Sequence, residues 1–219
     1  MSARTPRWLL IFALVLAVAT GCEAVPVDRW DTGGRGGTGG ESPAQTADAK
    51  VQLRNLSVTK TGSMRGYSRD RFPHWRTTGD NCNVRDEVLK RDGTKVKFSG
   101  CNVVAGTWKS IYDGRILDSP TKVDIDHVVP LANAWRSGAS GWTDDKRADF
   151  ANDLRRPQLV AVSRTSNRAK GDQDPSTWKP SPAGNRCEYA RDWIAVKSYW
   201  KLSVTKAEKA ALTDMLQRC

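Results

Sequence analysis

The sequence predicts an α+β domain, mostly helical and disulfide-bonded, and three observations carry that expectation. Two short β-branched runs, KVDIDHVV and LVAV, each pass into a segment of helical pattern. Cys82, Cys101, Cys187 and Cys219 lie downstream of an N-terminal export signal and form an even set in an oxidising compartment. The chain of 219 residues is 38% hydrophobic and 27% charged, which excludes both a membrane bundle and a disordered polyelectrolyte.

Arg4 and Arg7 precede the apolar run LLIFALVLAVAT, which is too short to cross a bilayer comfortably and is followed by small residues. Residues 1–21 are therefore expected to be a signal peptide removed on export. The junction Ala19-Thr20-Gly21-Cys22 resembles the lipobox of bacterial lipoproteins, with Ala19 where leucine is usual. That resemblance implies lipid on Cys22 and a membrane-anchored protein facing outside; plain secretion is the alternative. With Cys22 so used, Cys82–Cys101 and Cys187–Cys219 are the expected bridges, since each closes a local loop worth roughly 3 kcal/mol in the chain-entropy model. A zinc cage is disfavoured, because the chain has only 2 histidines and no Cys-x-x-Cys. GGRGGTGG and the polar residues after it mark 22–50 as a flexible tether, which puts the folded domain at 51–219.

Within that domain NVRDEVLKR reads as a helix capped by Asn83 or Asp80 and stopped by Gly93. The alternation of TKVKFSGCNVVAGTW predicts a hairpin, which Cys82–Cys101 would clip. KVDIDHVVPL reads as a strand ending in a turn at Pro130, followed by helical segments in ANAWRSGASGW and DDKRADFANDL. PQLVAV is a second strand, and SRTSNRAKGD a helix with Ser163 as N-cap and Gly171 as stop. The tail from Cys187 reads as two helices, the second opened by a capping box of Thr205 and Glu208.

Lysine and arginine number 35 against 24 acidic residues; removing Arg4 and Arg7 with the signal leaves 33 against 24, a net +9. Such a surface attracts polyanions: nucleic acid, anionic headgroups or acidic wall polymers. Charge does not choose among them, but a cluster of residues does. Asp126-His127 stands at a strand end, and Asn167 and Lys170 stand three apart on the first turns of a helix.

Here the chain resembles the HNH, or ββα-metal, nucleases, and within them an exported family related to the C-terminal domain of modification-dependent restriction enzymes. DHVVPL at 126–131 matches that family's opening Asp-His-x-x-Pro, and QLVAVSRTSNRAKGD at 158–172 matches its closing strand and helix. GDQDPSTWKP, YSRDRF, the segment Cys82-Asn83-x-Arg85 and CEYARDWIAVKSYW also look like the family, so the resemblance spans most of 65–219. It implies a ββα-metal core embedded in the helical domain. It also implies a metal-dependent endonuclease with His127 as general base and with Asp126 and Asn167 as metal ligands.

The chemistry calls for the same residue types. Phosphodiester hydrolysis needs an activated water, a counter-charge for the transition state and help at the leaving oxygen. A neutral imidazole takes a proton near pH 7, and one carboxylate with one amide oxygen suits Mg²⁺, with Mn²⁺ as the alternative. One position departs from the family: where an asparagine normally orients the base histidine, this chain has Gln158, whose amide could hold the Nδ1 proton of His127 from a longer arm. Asn152 is the other candidate for that role. Lys170 and Arg164 are expected to contact phosphate, with Arg155, Arg156 and Arg168 extending the contact along the backbone. Asp124 is expected in a structural salt bridge and His74 in a packing or surface role.

The expected substrate is nucleic acid, DNA in the first place, cut with little sequence preference by a monomer. The rival reading is a non-catalytic surface lipoprotein that binds DNA or another polyanion, its site disabled by Gln158. A wall-polymer binder is a third reading that no motif supports.

Overall fold

A computed structural model describes Met1 and residues 43–219. The expected signal peptide beyond Met1, the expected lipidation at Cys22 and the Gly-rich run all lie outside the described residues. In chain order the elements are helix α1 (Pro43–Asn55), strands β1 (Thr77–Gly79) and β2 (Cys82–Asn83), helix α2 (Val84–Asp92), and strands β3 (Gly93–Ser99), β4 (Asn102–Lys109), β5 (Ile116–Leu117) and β6 (Val123–His127). Then come helices α3 (Leu131–Arg136) and α4 (Asp144–Ala151), strand β7 (Leu159–Ser163), and helices α5 (Arg164–Lys170), α6 (Arg186–Tyr199) and α7 (Lys206–Gln217). The fold is α+β, with two disulfides, Cys82–Cys101 and Cys187–Cys219.

Helix α1 corrects the expected boundary, because it begins at Pro43, inside the stretch read as tether. It packs against α6 and α7 through Thr46, Ala49 and Leu53, too few positions to announce an amphipathic face in the sequence. The local signals downstream are more explicit. Asn83 caps α2 in a reciprocal capping box with Asp86, and Thr205 does the same for α7 with Glu208. The Cys101 end of the β3/β4 hairpin is tied to β2 by the Cys82–Cys101 bridge.

Strands β6 and β7 pair antiparallel, from Val123 opposite Ser163 to His127 opposite Leu159, and separate two cores. Successive strand residues point to opposite faces. Val123, Ile125, Leu159 and Ala161 therefore join Val84, Val88, Leu89, Val103, Trp108 and Leu117 on one side. Val160 and Val162 join the larger helical core of Leu131, Trp135, Phe150, Trp193 and Leu212 on the other. A pair of strands covered on both faces is a rigid mount. Helix α5 leaves β7 at once: Ser163 Oγ accepts from the Ser166 amide at 3.2 Å, and Gly171, at φ +54°, ends the helix where a left-handed residue is required. Among the described residues no helix is long and apolar enough to cross a membrane.

Candidate active site

Asp126 and His127 are adjacent in sequence but reach different neighbours. Asp126 turns toward α5, where its Oδ2 accepts from Tyr112 Oη at 2.7 Å and pairs with Lys170 Nζ at 2.7 Å. Lys170 also donates to the His127 carbonyl at 3.0 Å. It is 0% exposed, so its ammonium is not offered to a phosphate from solution, contrary to the expected role. Burial lowers its pKa against the opposing attraction of Asp126. Tyr112 and Tyr189 are raised well above the ordinary phenol value, first by burial and then by the Asp126 charge, so both hydroxyls stay protonated beside that carboxylate.

His127 turns toward the C-terminal end of α4. Its Nε2 lies 2.9 Å from the Ala151 carbonyl. A carbonyl only accepts, so Nε2 carries the proton and Nδ1 keeps the lone pair. This reverses the tautomer expected from sequence. Burial dominates the ring's proton affinity and lowers its pKa to about 3, helped by Arg69, His74 and Lys170 and opposed by the bond to Ala151. The imidazole is accordingly neutral at physiological pH.

Neither residue proposed to orient His127 does so. Gln158 is 0% exposed and locks onto Val129, accepting from its amide at 3.1 Å and donating to its carbonyl at 2.9 Å, while its own carbonyl accepts from the Val128 amide at 2.7 Å. Its side chain extends the β6/β7 ladder past His127, a reach that the shorter asparagine lacks. Asn152 caps α4 and grips another segment: its Nδ2 donates to the Pro73 carbonyl at 2.8 Å, and its Oδ1 accepts from the Arg76 amide at 2.9 Å. The Ala151 carbonyl fills the orienting role.

Asn167 donates from Nδ2 to Asp124 Oδ2 at 3.1 Å, which leaves its amide oxygen, the hard donor, for another partner. Asp124 also lies 3.6 Å from Arg164 Nε, the structural salt bridge expected for it. Arg164 donates to the Thr121 carbonyl at 2.7 Å and is about half exposed, still open to a phosphate. Asp126 carries a carboxylate and Asn167 an amide oxygen, the hard donor types that a divalent cation takes, and the Asp126 carboxylate is shared with Lys170 and Tyr112. Among the described residues no group of three or more His, Cys, Asp or Glu gathers to form a fuller cage.

Near the base, Arg69 went unassigned in the sequence reading and His74 was expected only in a packing or surface role. Exposed Arg69 is close enough to depress the His127 pKa, and the His74 ring lies 6.2 Å from that of His127. A cluster YSRDRFPHW, placed far upstream of the motif, was the available signal.

The family model for the C-terminal domain of GmrSD restriction endonucleases matches residues 83–215. The chain belongs to that family. Membership covers the β6, β7 and α5 elements and the helices around them, and it supports a nuclease of restriction-endonuclease kind acting on nucleic acid. A curated relative from Arthroderma benhamiae, described as an uncharacterized secreted protein, is 54% identical over 172 residues, which is 78% of this chain and 84% of the relative. The two disulfides fit an exported member of the family. No solved structure matches.

Proposed function

We propose that this protein is an exported, metal-dependent endonuclease of the HNH type, cutting DNA with little sequence preference. The observation that carries this reading is the antiparallel β6/β7 pair running directly into α5, with Asp126 and His127 at the strand end and Asn167 on the helix. His127 Nδ1 takes the proton of the attacking water, and the Ala151 carbonyl keeps the ring in the tautomer that allows it. Arg69 and Arg164 face the phosphate charge, and the absence of an obvious base-reading element leaves backbone contacts to dominate. A divalent cation, Mg²⁺ by donor chemistry, would be held by Asp126 and Asn167 and would supply charge against the extra negative charge of the transition state. Lys170 neutralises Asp126 from the buried side, so the carboxylate tolerates its enclosure.

His127 is 3% exposed, with the rings of His74 and Trp75 beside it. The same enclosure is what the rival reading, a surface protein that only binds polyanions, would lead one to expect. Turnover separates the two. The mature protein incubated with plasmid should shorten it with Mg²⁺ or Mn²⁺ and leave it intact with EDTA; retardation without shortening under every condition would favour the binder. A truncation at residue 50 would cut through α1 and is unsuitable for this assay.

A further inference from the structure

The chain contains 2 histidines, and the fold brings them together. Their rings are 6.2 Å apart and nearly perpendicular, at 84°. Each is fixed at one nitrogen by a backbone carbonyl: His74 Nδ1 by Phe72 at 3.0 Å, and His127 Nε2 by Ala151 at 2.9 Å. Both of those nitrogens must donate, so the free positions are His74 Nε2 and His127 Nδ1. His127 is buried, whereas His74 is only half-buried.

One helix sets the spacing of the pair. The last residue of α4, Ala151, holds His127, and its cap, Asn152, grips Pro73 and Arg76 on either side of His74. Arg147 of the same helix donates to the Arg71 carbonyl at 3.1 Å, and Arg76 pairs with Asp149 at 2.7 Å. Between these ties Trp75 adopts φ +64°, a backbone conformation that bulky residues avoid unless their surroundings impose it. Simple packing of His74 would not require a segment clamped at four points beside a catalytic base.

We propose that His74 is the general acid of the cleavage, a catalytic role that rests on the nuclease reading above. As water attacks phosphorus, its proton passes to His127 Nδ1 and the new phosphorus–oxygen bond forms. The bond to the leaving oxygen breaks, and His74, entering the step as an imidazolium charged from solvent, gives that oxygen its Nε2 proton and keeps Nδ1–H on the Phe72 carbonyl. The two rings then exchange protons with solvent to restore the starting states. No electrons change hands, and the products are a phosphomonoester and an alcohol.

The test compares leaving groups. An alkoxide needs a proton as it departs, whereas p-nitrophenolate does not, so loss of an acid is felt only with the former. The mature wild type, His74→Gln and His127→Ala are assayed on an oligodeoxynucleotide and on thymidine 5′-p-nitrophenyl phosphate. His74→Gln should lose on the order of 10²–10⁴ in rate on the oligonucleotide and less than about fivefold on the aryl ester, while His127→Ala loses on both. Equal losses for His74→Gln on the two substrates would assign the ring a positioning role and overturn the proposal, as would no loss on the oligonucleotide. A wild type that cleaves neither substrate with any divalent cation would overturn the nuclease reading and this proposal together. A fully active His127→Ala beside a leaving-group-dependent His74→Gln would overturn the assigned base alone.

Discussion

Lys197 and Lys170 are both 0% exposed and both ion-paired with a carboxylate, yet their surroundings differ. Lys197 lies 3.0 Å from Glu208 and donates to Ser137 Oγ at 3.2 Å and the Ser203 carbonyl at 2.8 Å. Glu208 in turn accepts from Trp193 Nε1 at 2.6 Å and the Thr205 amide at 3.2 Å, so the whole network closes inside the helical core. The Lys170–Asp126 pair stands at the edge of a strand, with the Asp126 side chain 11% exposed and the base on the next residue. Burial lowers both lysines from their usual pKa, and the paired carboxylate opposes it in each case. A closed pair specifies packing, whereas one left open on a single side holds a charge ready for chemistry.

Breaking each pair from the lysine side should separate these roles. Lys197→Met leaves Glu208 buried and unpaired, at an expected cost of about 3–5 kcal/mol in urea unfolding, with cleavage per folded molecule nearly unchanged. Lys170→Met should cost less, about 1–3 kcal/mol, since Asp126 keeps Tyr112 and a solvent edge, but cleavage should fall and its metal dependence should shift. Equal stability losses with no effect on cleavage would erase the distinction.

The acid limb of stability sharpens the same contrast, because His127 is buried as a neutral group. The unfolded ring takes a proton near 6.5 and the folded one only near 3, so acid favours unfolding. Stability from this source is complete above pH 6.5 and is lost as pH falls toward 3. Between pH 7 and pH 4 it should drop by about 3 kcal/mol more in the wild type than in a folded His127→Gln, measured by urea unfolding at each pH. Parallel profiles would mean that the ring is not enclosed in solution.

Sequence carried the β3/β4 hairpin, β6 and β7, the caps and the cysteine pairing because each depends on a few neighbouring residues with strong preferences, whereas the two- and three-residue strands β1, β2 and β5 are too short to show an alternation. Asn83, Ser163 and Thr205 cap their helices, and Gly171 ends α5. Asp126, His127 and Asn167 were legible as a motif, but their partners were not. Lys170 looked like a surface cation because helical spacing does not reveal that Asp126 and Tyr112 draw it inward. Gln158 was weighed against the side-chain role of an asparagine, whereas the orienting group is a backbone carbonyl, which carries no sequence signal. His74 reaches His127 only through tertiary contacts with α4, and α1 buries too few residues to show a period.

Gln158→Leu gives the smallest of the expected effects. It removes both side-chain bonds to Val129 and should cost about 1–3 kcal/mol in unfolding free energy, while His127 keeps its carbonyl and cleavage persists in the folded protein. Abolished cleavage at unchanged stability would return Gln158 to the catalytic role first expected of it.

The central claim is that His127 abstracts the proton from water. Its most direct measurement is the single-turnover rate of His127→Ala on plasmid at saturating Mg²⁺, with the fold verified by circular dichroism and DNA binding by gel retardation. The account predicts a loss on the order of 10²–10⁴ in rate with binding retained. A folded His127→Ala that cuts DNA at the wild-type rate would contradict it.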